Sequence, residues 1–216
     1  MNLITNCRRT VICLIALFLC ACSSTLVIQN VPVPLPGTPY DLKLGLSLAD
    51  FLHDNPKTTV KQSHPRISIA SLPILPKQGD IIYPGTAVFL DEKLVGITLF
   101  PAVLRREPIE QKDFKDLQAE LQKKYLDFYG GHPEKTLVPG PHAEGLAQRF
   151  TWVNSDYVVT LTMLPSKPKM YKLEMLCALI ITPTQLYFRK HNWTQDDMNQ
   201  VESIFHETGQ PAAEQN

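Results

Sequence analysis

The chain has 216 residues, with 21 basic and 21 acidic side chains balancing to zero formal charge, and 44% of it is hydrophobic. That length can bury a real core in one domain or in two closely packed halves. The balanced charge, with no basic stripe, argues against nucleic acid as a partner.

Arg8 and Arg9 form a basic start with no acid nearby, and residues 11–21 follow as a short apolar run. A helix needs roughly 20 apolar residues to span a bilayer core. This run is too short for that and fits the core of a secretory signal. It ends in Leu19-Cys20-Ala21-Cys22. The ending resembles the lipobox of bacterial lipoproteins. The resemblance implies that residues 1–21 are a signal peptide cleaved after Ala21. It also implies that Cys22 then carries lipid, palmitate included, on its sulfur and on its new amino terminus. Cleavage before Cys20 would put bulky Leu19 where a small residue is needed, which favours Cys22. An uncleaved signal anchor, a plain signal peptide and twin-arginine export are the alternatives at this point. One acyl chain holds a protein to a membrane only marginally, whereas several hold it durably. Ser23, rather than Asp, follows Cys22. In the lipoprotein family this implies the outer membrane, with the protein facing the periplasm.

Cysteines stand at 7, 13, 20, 22 and 177. Removal of residues 1–21 deletes three, and lipidation occupies Cys22. Cys177 then has no partner for an internal disulfide. Its apolar neighbourhood reads as a buried, inert thiol. The mature chain loses two arginines and no acids, which leaves 19 basic against 21 acidic residues and a net charge of −2.

Residues 22–40 read as a lipidated start and a proline-rich tether. Residues 31–39 are Val-Pro-Val-Pro-Leu-Pro-Gly-Thr-Pro. Proline fixes φ and removes backbone donors, so the segment is expected to be extended. At about 3.1 Å per residue it would hold a domain roughly 50 Å from the lipid. The sharper reading is a docking strand whose Val31, Val33 and Leu35 line a partner's groove.

The globular part is expected over residues 41–208. A first helix starts at Ser47, with Asp50 three residues on, and stops at Asn55-Pro56. A second carries Phe114, Leu117, Leu121, Tyr125 and Phe128 at helical spacing and ends at Gly130-Gly131. A third starts at Thr194, with Asp197 three on and Trp193 and Met198 placed as a hydrophobic staple; Met198, Val201 and Phe205 are its apolar stripe. Residues 209–216 read as a disordered tail. Strands are expected over 67–72, 80–83, 86–90 and 94–100, with Asp91-Glu92-Lys93 as a tight hairpin, and over 148–153, 157–164, 171–181 and 185–189.

Successive hairpins predict an antiparallel sheet and an α+β fold. A helix followed by about four strands occurs twice. The order is open to a single unit or to two tandem helix-plus-sheet units. Leu44-Gly-Leu-Ser-Leu-Ala-Asp-Phe51 resembles the helix opening of the small lipoprotein of the β-barrel assembly machinery. Helix-then-antiparallel-sheet units, single or tandem, are similar to those of β-lactamase-inhibitor-like proteins. No functional residue carries over from either likeness.

The search for chemistry yields no catalytic residue, no cofactor motif and no metal set. No helical His pair, nucleophile elbow, P-loop or dinucleotide fingerprint is present. His132 and His142 share a loop with Glu134 and Glu144, where solvated side chains are expected rather than a metal. Ser63 beside His64 does not define a triad, because triads are spatial. Asp91 and Glu92 read as exposed turn residues. Trp152 and Tyr157 flank a turn and read either as cross-strand packing or as a stacking surface for a glycan or peptide. Arg105-Arg106 reads as a solvated pair, with anionic headgroups as the sharper option. The leading expectation is a non-catalytic, membrane-anchored binding or assembly module with an envelope protein partner. A periplasmic enzyme or enzyme inhibitor and a lipid- or glycan-binding carrier are the alternatives.

Overall fold

From Val33 onward the chain pairs with itself. A computed structural model describes residues 33–35, 37–72, 81–104, 110–130, 132–140, 145–165, 169–170 and 173–208. Cys22, Val31, Arg105-Arg106, His142, Glu144 and residues 209–216 lie outside these. Strand β1 (Val33–Pro34) runs antiparallel to β2 (Lys43–Leu44). Leu35 donates its N–H to Leu42 O at 2.9 Å and is buried. The spacer expected through residue 40 therefore already belongs to the fold at Val33. The apolar residues between the prolines are the reason: Leu35 joins the main core and Val33 packs against it.

Helix α1 (Leu48–Asp54) begins where Ser47 Oγ accepts the Asp50 N–H at 3.0 Å, as its spacing predicts. Four strands of the main sheet follow: β3 (Val60–His64), β4 (Ile67–Leu72), β6 (Gly85–Leu90) and β7 (Lys93–Leu99). Short β5 (Ile81–Ile82) interrupts them and β8 (Ala102–Leu104) closes the half. Asp91 and Glu92 both take positive φ, 48° and 61°, which makes a two-residue hairpin turn matched to strand twist. Lys93 already belongs to β7.

Helix α2 (Gln111–Tyr129) buries Phe114, Leu121 and Tyr125, and Gly130 ends it at φ 67°. Phe128, placed on the same face by spacing, is instead half exposed. Then come β9 (Glu134–Pro139), β10 (Leu146–Val153), β11 (Tyr157–Met163), β12 (Lys169–Met170), β13 (Leu173–Met175) and β14 (Cys177–Pro183). The single strand expected over 171–181 divides at Leu176. Its N–H donates to Pro101 O at 2.8 Å and its carbonyl accepts from Leu164 N–H, so β13 and β14 enter different sheets.

The strand expected over 185–189 is instead helix α3 (Gln185–Lys190). Thr184 Oγ1 accepts the Tyr187 N–H at 3.2 Å just after Pro183 ends β14. Helical geometry then points Tyr187 and Phe188 into two different cores. Helix α4 (Gln195–Thr208) opens with a reciprocal cap. Thr194 N–H donates to Asp197 Oδ2 at 2.8 Å, and Asp197 N–H donates to Thr194 Oγ1 at 3.1 Å.

The main sheet is antiparallel and eight-stranded, in the order β3-β4-β6-β7-β14-β11-β10-β9. The fold is α+β. The first four strands come from the half led by α1 and the last four from the half led by α2. The halves meet edge to edge where β7 pairs with β14, at Thr98 opposite Ile180. One cross-strand row runs Ser71, Thr86, Thr98, Ile180, Thr160, Thr151, Glu134. Ser71 and Thr151 lie at equal remove from the join, as do Thr86 and Thr160. A four-stranded sheet, β12-β13-β8-β5, draws strands from both halves.

On one face Phe89, Ile97, Leu179, Leu161 and Phe150 form the main core with Phe51 of α1 and Phe114, Leu121 and Tyr125 of α2. On the other, Ile67, Val88, Leu90 and Val95 pack against Val201, Ile204 and Phe205 of α4. Each such buried side chain is worth about 1.5–3 kcal/mol relative to exposure. No described helix is long and apolar enough to cross a membrane.

Candidate functional site

The tip of the β10–β11 hairpin is built by Asn154. Its Oδ1 accepts the N–H groups of Asp156 at 2.9 Å and Tyr157 at 2.8 Å, and its own N–H donates to Tyr157 O at 3.1 Å. This turn sets Trp152, before it, and Tyr157, after it, on the face of the sheet that packs against α2. The C-terminal end of α2 supplies the opposite side. Trp152 Nε1 donates to Gly130 O at 3.1 Å. The rings of Trp152 and Tyr129 lie 5.3 Å apart at 43°.

Between them opens a cleft of about 310 Å³, lined chiefly by Tyr129, Gly130, His132, Trp152, Asn154 and Tyr157. The walls are braced from behind. Phe150 stacks on Trp152 at 6.3 Å and 25°, and Tyr125 stacks on Tyr129 at 6.1 Å and 12°. Burial pushes the Tyr129 phenol well above its ordinary pKa, with the nearby Tyr157 adding to the rise. Burial also raises the Tyr157 phenol, while its hydrogen bond with the Asn154 side chain pulls the other way. Both phenols are thus neutral at physiological pH and can donate a hydrogen bond.

Trp152 and Tyr157, singled out in the sequence, both line this cleft. They do not stack on each other: Trp152 finds its ring partners in Phe150 and Tyr129. His132 also lines the cleft, and Glu134 begins edge strand β9. Among the described residues no three His, Cys, Asp or Glu side chains converge as a metal site. Ser63 and His64 are exposed at the end of β3, beside a register shift. Val33 and Leu35, considered for a partner's groove, are used inside their own fold.

Cys177 is fully buried, and burial alone drives its thiol pKa far above the ordinary value. The thiolate that a nucleophile needs is therefore suppressed. Asp91 is more than a turn residue. Its carboxylate accepts from Arg66 and from Trp193 Nε1, at 3.0 Å for the indole. Sequence reasoning missed Tyr129, Gly130 and Asn154 as cleft residues. In the sequence Gly130 reads as a helix cap, and Asn154 is one of the residues in the turn that Trp152 and Tyr157 flank.

Compared with known family models, characterised proteins and solved structures, the chain matches none.

Proposed function

We propose that this chain is a lipid-anchored, non-catalytic binding module of a bacterial envelope. The anchor rests on the basic start, the short apolar run and Leu19-Cys20-Ala21-Cys22, with acylated Cys22 holding the protein to the outer membrane, facing the periplasm. The binding role rests on one observation: a braced aromatic cleft with neutral polar groups at its rim. Small-molecule sites are concave, mostly preformed and equipped with a few placed polar groups, and this cleft fits that pattern.

Metabolic labelling with an alkyne analogue of palmitate tests the anchor in a bacterium producing the full chain. The wild-type protein is expected to label and to fractionate with membranes. Cys22→Ala is expected to lose the label and accumulate as precursor. A Cys22→Ala protein that labels and matures like wild type overturns the reading.

A further inference from the structure

We infer that the cleft between Tyr129, Trp152 and Tyr157 binds a neutral saccharide, one or two pyranose units of an uncharged glycan. This rests on the reading of the chain as a binding module and names the ligand of that module's site.

Size is the first argument. At about 310 Å³ the cleft lies at the lower end of small-molecule sites, which suits a compact ligand. Charge is the second. Among the described residues the lining holds no Asp, Glu, Lys or Arg. A carboxylate, phosphate or ammonium group entering it would lose hydration without meeting a counter-charge, a cost that a neutral ligand avoids.

The third argument is the kind of groups displayed. The carbonyl oxygen of the Asn154 side chain is engaged by two backbone N–H groups and its NH₂ also bonds the Tyr157 phenol, so what that side chain offers a ligand is one remaining N–H. Tyr157 adds a protonated hydroxyl. His132 adds an exposed imidazole with one donor and one acceptor when neutral. Sugar hydroxyls both donate and accept, and the C–H face of a pyranose is apolar. Aromatic walls with neutral polar groups between them complement both features. The walls are also preorganised by Phe150, Tyr125 and the Trp152–Gly130 hydrogen bond, so little side-chain ordering remains to be lost on binding.

The fourth argument separates a saccharide from an extended peptide. Peptides that add to sheets need a free strand edge. The strands lining the cleft offer too little of one: β11 lies between β10 and β14, and β10 is covered by β9 as far as Thr151, which leaves only Trp152 and Val153 beyond the end of β9.

The test uses the purified full chain in detergent and follows tryptophan fluorescence and ligand saturation-transfer NMR. The probes are maltotriose, cellotriose, chitotriose and galactobiose, with choline and a proline-rich decapeptide as counter-probes. At least one saccharide is expected to bind saturably. Tyr157→Ala is expected to weaken it at least about tenfold. His132→Ala, at an exposed position that leaves the core intact, is expected to weaken it about threefold with an unchanged unfolding temperature. The inference is overturned if no saccharide binds, or if both variants bind as wild type does. Saturable binding of choline or the peptide in place of every sugar also overturns it, while leaving the binding-module reading standing. Loss of lipid labelling at Cys22 is scored separately, so failure of the anchor and failure of the ligand are distinguishable.

Discussion

Arg66 Nε donates to Asp91 Oδ1 at 2.7 Å, and Asp91 N–H donates back to Arg66 O at 2.9 Å. This reciprocal pair ties the turn between β3 and β4 to the turn between β6 and β7. A second guanidinium nitrogen reaches Asp197 Oδ1 at 2.7 Å, which brings the start of α4 into the same knot. Trp193 Nε1 completes it on Asp91. Three segments distant in sequence are thus pinned at one end of the sheet by a single side chain.

Replacing Arg66 tests this knot. Asp91 is well exposed, and an exposed pair contributes at most about 1 kcal/mol. Asp197 is buried and would keep only its bonds from Thr194. Losing a charged partner there costs more, so Arg66→Ala is expected to destabilise by about 2 kcal/mol in total. Urea unfolding checks this. A change below about 0.5 kcal/mol, the range of ordinary surface substitutions, would show that the knot contributes nothing.

Asp91 of this cluster and Asp156, in a separate pair with Lys190, set an acid limb. The Arg66 hydrogen bond holds the Asp91 carboxyl below its usual range; partial burial opposes this, and Trp193 assists. The Lys190 hydrogen bond does the same for Asp156, again against burial. A depressed folded-state pKa means stability that is fully present above the unfolded value, about 3.9. That stability is lost as pH falls through the folded value. Stability from these two groups is therefore expected to be level from pH 7 to about 5 and to decline below about 4. Denaturant midpoints measured from pH 7 to 2.5 should show a shallower decline in Asp91→Asn than in wild type. An identical slope would remove Asp91 from the account.

The helix starts at Ser47 and Thr194 and the turn at Asp91-Glu92 were legible because their hydrogen bonds and dihedrals are local. Helix α2 was legible because nineteen residues give a spacing pattern room to repeat. Helix α3 was not: its six residues make less than two turns, and the Leu-Tyr-Phe run at 186–188 has the bulky aromatic composition that strands favour. The break at Leu176 was invisible because Pro101, far away in sequence, decides it. Strand β9 was missed because Glu134, Lys135 and Pro139 read as loop, although an edge strand tolerates them. Of the cleft, Trp152 and Tyr157 could be found because they flank one turn. Tyr129 reaches them only through the packing of α2 on the sheet.

Tyr125 carries a buried hydroxyl with no hydrogen-bond partner among the described residues. Burial, the largest effect, drives its pKa far up, so the group stays neutral and its cost is lost hydration. Tyr125→Phe keeps the ring and its stacking on Tyr129. Removing the unpaired polar atom is expected to stabilise the fold by about 1 kcal/mol. A destabilised variant in urea unfolding would mean that the hydroxyl is satisfied in solution.

Cys177 makes a kinetic prediction. Its thiol is fully buried with its ionisation suppressed, so a disulfide reagent such as dithionitrobenzoate should react only as fast as the protein opens. Labelling in 8 M urea is expected to finish at least about a hundredfold sooner than in buffer. Rapid labelling of the folded chain at Cys177, located by peptide mapping because the sequence holds four other cysteines, would place the thiol at the surface.

Gly96 offers the sharpest packing test, because a Cβ there would meet the Ile181 carbonyl oxygen and the Phe205 ring. The matching position beside the join of the two halves is Ala178, two residues before Ile180 as Gly96 is two before Thr98. A methyl is accommodated there, whereas at 96 the ring of α4 presses on the strand. Gly96→Ala is therefore expected to cost about 2–3 kcal/mol through overpacking. Phe205→Ala alone should cost about 3–4 kcal/mol by leaving a cavity. Their combination should cost less than the sum, since truncating the ring relieves part of the clash while the Ile181 carbonyl keeps the rest. A double-mutant cycle read by urea unfolding measures that coupling. Strict additivity would mean that the backbone of β14, and not α4, demands glycine at this position.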